Sequence, residues 1–463
     1  MDTFNNLLIF YNDKIGPTIL LLLLLPAGLL YTFMLKFIQF RKMGTAVSIV
    51  AGKYDDPENP GDISHFQALS AALSATVGIG NIAGVAMAIA WGGPGAAFWI
   101  WVTGFLGMAL KYAECTLAVK YREKDEEGYV AGGPMYYIKK ALFSKLGRFA
   151  TIMAVIFAVG TLLCSFGTGN MPQANSMAQA IHGTYNIKPW ISGLIIAVLV
   201  FLVIVGGIKR IGKVAGTLVP FMAAFYVLGA LTVIFINYDK VGAAFGLIFK
   251  GAFTGESALK GGFIATMLWG IKRGLFSNEA GQGSAPIAHA AAKTKYPVRE
   301  GLVSMLEPFI DTVLICTLTA LVIIIGGLYI LPKGAEQPLY DGAVLTTLSF
   351  KSGLDPIGLG NFGQHMVAIS TILFALSTAI SWSYYGDRSV EFLFKNPKAV
   401  LLYRILFSVV IFIGAVQPMK VVWNFADMAI TFMALPNLIA LFILAPEVLG
   451  ATRHYFKDIH GSN

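Results

Sequence analysis

Between His65 and Trp91 the chain is apolar for long enough to cross a bilayer, yet its centre reads Ala75-Thr76-Val77-Gly78-Ile79-Gly80-Asn81. Glycine weakens a helix and lets the backbone leave helical geometry. In hydrocarbon, an unwound turn leaves peptide groups without partners. Such a turn survives only if protein buries it or if it lines a cavity, where its free N–H and C=O groups can hold a ligand or an ion. The rest of the sequence must therefore supply walls around this point.

Composition agrees with a membrane setting. Hydrophobic residues make up 56% of the 463 and charged residues only 13%, against about 25% charged in a soluble domain. The mean hydropathy is +0.69. Eleven apolar spans are expected, at roughly 15–38, 65–91, 95–119, 149–181, 189–207, 214–237, 261–291, 300–331, 362–386, 398–416 and 420–445. Each is near the ~20 residues a crossing requires. The net charge of +9 does not call for a nucleic-acid partner, because the basic residues gather in alternate loops. These are Lys36 to Lys53, Lys120 to Arg148, Lys209 to Lys213, Lys293 to Arg299, Arg388 to Lys398 and Arg453 to Lys457. The positive-inside rule then places the N-terminus outside and the C-terminus in the cytoplasm, for a multi-pass protein of the cell membrane. The first span is too long for a signal-peptide core and has Lys36, Arg41 and Lys42 behind it, so it is expected to stay uncleaved. Cys115, Cys164 and Cys316 all fall in apolar spans, without disulfide or metal spacing. Short amphipathic helices are expected at about 128–146 inside and 241–253 outside.

With the first span set aside, ten remain, and two sets of five have opposite orientation. The expected fold is an all-α membrane protein with an N-terminal helix and cytoplasmic loop (1–64), a first repeat (65–237), an extracellular connector (238–260), a second repeat (261–445) and a cytoplasmic tail (446–463). The first span of the second half carries Gly270, Gly274, Gly281-Gln282-Gly283 and Pro286. Matching glycine-interrupted spans at corresponding positions point to the site of an inverted-repeat transporter.

Three motifs carry a family resemblance. Val77-Gly78-Ile79-Gly80-Asn81 resembles the unwound first core helix of the neurotransmitter:sodium symporters. The run from Gly92-Gly93-Pro94-Gly95 through Trp99-Ile100-Trp101 to Gly107 is similar to the signature of the alanine/glycine:cation symporters, and Arg273-Gly274-Leu275-Phe276-Ser277-Asn278-Glu279-Ala280-Gly281-Gln282-Gly283-Ser284 is similar to a second block of that family. The likeness extends over nearly the whole chain. It implies a leucine-transporter-like fold and cation-driven uptake, usually with sodium, of alanine and glycine.

Residue by residue, amides at Gly78, Ile79 and Gly80 with a positive half-helix dipole suit a carboxylate, though close packing of small residues would use the same sequence. Ser377 and Thr378 offer adjacent hydroxyls, either to a hard cation or back to their own helix. The resemblance implies that the carbonyls of Ser74, Val77 and Phe374 join them in one sodium site. It implies a second from the Thr76 carbonyl, Asn81 and Ser277, with Asp311 or Glu307 as a possible fixed carboxylate. Glu279, beside Phe276 and Gln282 at the second break, either receives a substrate ammonium or holds the turn as an ion pair. Lys272 and Arg273 are its candidate partners, and a titrating Glu279 would permit proton coupling. Phe166 could cover the site and Asn170 bond the substrate. Trp382, one turn past Thr378, either floors the pocket or packs between helices.

The expected activity is sodium-coupled symport of a small zwitterionic amino acid across the bilayer. Proton-coupled symport through Glu279 is the alternative, and an ion channel is further off. No enzymatic cofactor or obligate protein partner is expected. The six histidines are scattered, without His-x-x-x-His or Gly-x-Ser-x-Gly, so an enzyme is not indicated.

Overall fold

The computed structural model describes Tyr11 and residues 16–125, 128–255, 262–330 and 337–459. The ends of the chain, the last residues of the connector (256–260) and the first residues of the loop after 330 lie outside that set. Among the described residues the fold is all-α apart from one two-stranded hairpin, Glu123–Lys124 with Val130–Ala131, and one isolated bridge, Ile63 with Ala292. Seven described helices are long and apolar enough to cross a membrane, and the pair His65–Thr76 and Gly80–Gly92, bent by 48°, makes an eighth. Leu21–Met34 and Pro189–Ile204 are shorter apolar helices. Gly262–Asn278 and Ala285–His289 flank the second expected break.

The first broken helix starts where its sequence says it should. Ser64 caps it, with its Oγ accepting from the Gln67 amide while the Gln67 side chain accepts from the Ser64 amide. That reciprocal pair satisfies two amides that a helix start leaves open. Regular helix ends at Thr76, and after Val77 and Gly78 the chain resumes as a wide π turn, Gly80–Gly84, before Val85–Gly92. The second broken helix unwinds over Glu279–Ser284, with positive φ at Glu279, Gly281 and Gly283. A left-handed glutamate is costly and needs support from its surroundings. A second π segment, Phe309–Cys316, follows in the next span. Such segments collect at functional positions.

Some boundaries differ from expectation. The first helix is Gly16–Met34 and stops at Lys36 and Phe37, both left-handed; short surface helices at Ile38–Arg41 and Met43–Val50 follow. Gly360–Phe394 and Met419–His454 run well past their apolar stretches. The fourth span is divided into Arg148–Gly167 and Met171–Tyr185 by a turn at Thr168-Gly169-Asn170. The helix expected inside is Pro134–Leu146, with Met135 to Ile138 buried and Lys139 and Lys140 outward. The helix expected at about 241–253 is Tyr238–Thr254. Gly262–Asn278 packs on Ala96–Lys120, Met171–Tyr185 packs on Gly360–Phe394, and the latter also meets His65–Thr76. These contacts bring both breaks and the fourth-span turn to one place.

Candidate functional site

The two breaks touch. A Cβ added at Gly80 would stand 3.1 Å from Ser277 Cα and 3.3 Å from the Phe276 ring. Only glycine allows this approach without a shift. Inside the first break, the Gly78 amide donates to Asn81 Oδ1 at 2.9 Å. The carbonyl of Ile82, in the π turn, accepts from Thr346 Oγ1 at 2.8 Å.

On one side of the junction, His65–Thr76 meets Gly360–Phe394. Ser74 Oγ donates to the Ser377 carbonyl at 2.8 Å, and Ser377 Oγ lies 2.8 Å from Phe374 O and 3.3 Å from Ser74 O. Of the five oxygens assigned to the first sodium site, Ser377 Oγ is thus within reach of two others, Ser74 O and Phe374 O. Thr378 Oγ1 is buried with no hydrogen-bond partner among the described residues. Val77, which caps the helix, is fully buried beside them.

On the other side, the two π segments deliver Asn81 from the first and Asp311 and Thr312 from the second. Asn81 Nδ2 donates to Asp311 Oδ1 at 2.6 Å and to Asp311 O at 3.1 Å. Ser277 Oγ lies 2.9 and 3.1 Å from the Asp311 oxygens, and Thr312 Oγ1 donates to Oδ2 at 2.7 Å. Asp311, not Glu307, is therefore the carboxylate beside Asn81 and Ser277. Thr76 Oγ1 turns back to Ala72 O and Leu73 O at 3.3 and 3.4 Å.

Glu279 corrects one expectation. Lys272 and Arg273 pair with Asp427, at 2.7 and 3.2 Å, on the last long helix. Glu279 instead accepts from Trp382 Nε1 at 2.8 Å and from Ser284 Oγ at 2.5 Å. Charge-assisted hydrogen bonds of this kind stabilise a buried carboxylate and brace the left-handed turn. Gln282 Nε2 closes the same turn by donating to Leu275 O at 2.7 Å.

The fourth-span turn gives two expected site residues other neighbours. Phe166 packs on Tyr403 and Phe407, with ring centroids 5.5 and 6.0 Å away, and does not cover the breaks. The Asn170 amide donates to Phe407 O at 2.7 Å. The unwound turn rotates both toward Pro397–Val416. What the turn presents instead is Gly169, where a Cβ would stand 2.2 Å from Trp382 Cβ. Trp382, fully buried, is pressed flat against that backbone and held by Glu279. Thr168 Oγ1, Gln173 Oε1, Thr378 Oγ1, Ser381 Oγ and Gln282 Oε1 are buried without hydrogen-bond partners among the described residues. Native cores leave few such atoms, and two of these, Gln173 Oε1 and Thr378 Oγ1, lie beside Gly78 at the first break, where a small polar ligand would pair with them.

Away from the junction, the segment before the first broken helix and the segment after the second are tied together. Ile63 and Ala292 form a parallel bridge, with Asp62 N donating to Ala291 O at 2.8 Å, Lys293 N to Ile63 O at 2.7 Å and Thr294 N to Pro60 O at 3.1 Å. Arg122 spans this bridge. Its guanidinium donates to the carbonyls of Pro60, Ala290, Ala292 and Thr294 at 2.6–2.7 Å. Burial pushes that guanidinium below its ordinary pKa, while Glu300 and Asp62 pull it back up. Above the bridge runs a chain of buried ion pairs absent from the expectations. Lys111 meets Glu307 at 2.8 Å, and His289 lies 3.7 Å from Glu307 and 2.6 Å from Glu300, which also pairs with His65.

Comparison with known proteins agrees with this architecture. The Sodium:alanine symporter family matches residues 1–462. The sodium/alanine symporter AgcS of Methanococcus maripaludis is 46% identical over 446 residues, 96% of this chain and 95% of that protein. The amino-acid carrier protein AlsT of Bacillus subtilis is 35% identical, covering 99% of this chain and 94% of its own. Among solved structures, MhsT in complex with L-phenylalanine aligns with a TM-score of 0.57 at 14% identity, over 84% of this chain and 98% of that one. A manganese transporter of Eremococcus coleocola aligns at 0.52, also at 14% identity, over 87% and 92%. The fold is that of the leucine-transporter group, the chain is a multi-pass membrane transporter rather than an enzyme, and it belongs to the sodium:alanine symporter family.

Proposed function

We propose that this protein imports small neutral amino acids, alanine and glycine foremost, by sodium-coupled symport and alternating access. The observation that carries the reading is the meeting of two broken helices at Gly80 and Ser277, with the unpartnered Gln173 Oε1 and Thr378 Oγ1 beside Gly78. The substrate carboxylate takes the amides near Ile79 and Gly80 at the start of the resumed helix. Trp382, fixed by Glu279 and by Gly169, fills the volume a longer side chain needs. One sodium sits among Ser74 O, Val77 O, Phe374 O, Ser377 Oγ and Thr378 Oγ1. A second sits near Thr76 O, Asn81 and Ser277, with Asp311 supplying the charge. The first site joins His65–Thr76 to Gly360–Phe394, so ion binding ties two packed bodies together, and the gradient acts on that tie. The layout is eleven crossings, one N-terminal helix plus five and five, with the N-terminus outside.

Uptake of labelled alanine into proteoliposomes tests the reading. A sodium gradient should drive accumulation of alanine and glycine. Uptake driven by a proton gradient alone would favour the proton-coupled alternative, and uptake of bulky amino acids at equal rates would remove Trp382 from the pocket floor.

A further inference from the structure

Two clefts among the described residues are rich in cations. In the first, Lys139, Arg388 and Arg404 are interleaved with Glu123, Asp125 and Glu391, and Arg388 pairs with both Asp125 and Glu391, at 2.8 and 2.6 Å. The second differs. In this cleft of about 340 Å³, Lys36, Arg41, Lys42 and Arg453 converge, and no acidic side chain lines the walls. None of the four pairs with a carboxylate among the described side chains. Solvent screens the repulsion of four like charges only in part, so the cleft lacks a counter-charge.

Its walls come from the two ends of the chain. Met34 closes the helix Gly16–Met34, and Leu449, Thr452 and Arg453 lie near the end of Met419–His454. Between Met34 and the short helix Ile38–Arg41 the chain turns through Lys36 and Phe37, with φ 54° and 56°. Two consecutive left-handed residues bearing side chains are costly. The turn lets cations from before and after it face one space. Arg41 Nη1 donates to Lys36 O at 3.3 Å, and Lys42 Nζ sits 4.4 Å from the centre of the Phe456 ring. The positive-inside rule accounts for basic residues at helix ends, but not for four of them, from positions 36 to 453, meeting in a cleft free of carboxylates.

The surroundings say what kind of anion fits. Phe33, Phe37 and Phe40 are exposed beside the cleft, and Leu29 is exposed one turn before Phe33 on the apolar helix. A contiguous exposed apolar surface at the end of a membrane helix belongs against acyl chains rather than water. We propose that this cleft binds the headgroup of an anionic phospholipid, with its phosphate among Lys36, Arg41, Lys42 and Arg453 and its acyl chains along Phe33 and Leu29. The guanidiniums fork to phosphate oxygens, and the lysines act as point charges. The lipid thereby fastens the first helix to the last.

The probe is dioleoyl phosphatidylglycerol, with dioleoyl phosphatidylcholine as its zwitterionic match. Each is titrated onto the purified full chain in detergent and counted by native mass spectrometry. The wild type should retain one phosphatidylglycerol at least ~10-fold more tightly than phosphatidylcholine. Each cation facing an anionic lipid is worth about 5-fold. Arg41→Gln with Lys42→Gln should therefore weaken phosphatidylglycerol by roughly 30-fold and leave phosphatidylcholine unchanged. Lys209→Gln with Lys213→Gln, an equal loss of charge elsewhere, should leave both unchanged. Equal retention of the two lipids by the wild type, or equal loss in the two double variants, would overturn the site. Full displacement of the lipid by an equal concentration of glycerol 1-phosphate would make it a free-phosphate site and overturn the lipid assignment. Should the Arg41 and Lys42 variant aggregate, Arg453→Gln on the opposite wall should still weaken phosphatidylglycerol about 5-fold, and no change there refutes the reading.

Discussion

Arg122 offers the most direct test of what fastens the bridge between Ile63 and Ala292. Its guanidinium forks to four carbonyls from both segments that lead into the broken helices. Arg122→Ala removes all four bonds, and the freed carbonyls recover part of the loss from water. At about 0.5–1 kcal/mol net per bond, the lower half of the usual range, the bridge loses about 2–4 kcal/mol. That corresponds to a roughly 30- to 700-fold shift toward separation of the two segments. Hydrogen exchange reads this as local opening. The amides of Asp62, Lys293 and Thr294, each bonded across the bridge, should lose protection by that factor, while amides of Ala96–Lys120 keep theirs. Arg122→Lys keeps the charge but not the planar fork and should fall between. Unchanged protection at those three amides in Arg122→Ala would refute the argument that Arg122 fastens the bridge.

Other perturbations follow from the same geometry. Ser377→Ala with Thr378→Ala should raise the sodium concentration for half-maximal uptake strongly, and unaltered sodium dependence would dismiss the first cation site. Asp311→Asn removes a charge whose attraction for a cation 4 Å away is about 4 kcal/mol at an effective dielectric of 20. Its sodium requirement should rise by at least ~10-fold in the same assay, and an unchanged ion response would mark Asp311 as a brace for Asn81 and Ser277. Trp382→Ala should admit leucine-sized side chains in competition binding, with alanine bound more weakly. Lys111→Met leaves Glu307 without its close cationic partner in the interior and should cost about 3–5 kcal/mol, read as a lowered thermal transition in detergent. Lys111→Met with Glu307→Gln should recover much of that loss.

The first break was legible because glycine is a local signal. Gly78 and Gly80 interrupt an apolar run, and Gly281-Gln282-Gly283 repeats the interruption in a matching place. The turn in the fourth span had similar marks, Gly167, Gly169 and Pro172, but its consequence was not local. Unwinding there rotates Phe166 and Asn170 away and delivers Gly169 and Gln173 instead, which helical spacing alone would not give. The partner of Lys272 and Arg273 was equally out of reach, since Asp427 lies some 150 positions later and only packing brings it near. Local charge spacing favoured Glu279, but the left-handed turn at that residue points it to Trp382. The Glu300 cluster with His65 and His289 has the same cause, joining residues from three elements.

The three cysteines have a practical consequence. All are buried, and the sequence holds no others. Cys316 Sγ lies 3.4 Å from Asn81 Nδ2 and 3.5 Å from Ser277 Oγ, inside the cluster around Asp311. Cys115 and Cys164 are fully buried in helices. A thiol reagent small enough to follow water into the junction would meet Cys316 beside the proposed second ion. Alkylation at Cys316 should therefore report access to the junction and slow when sodium is added, and a rate indifferent to sodium would count against the proposed second site.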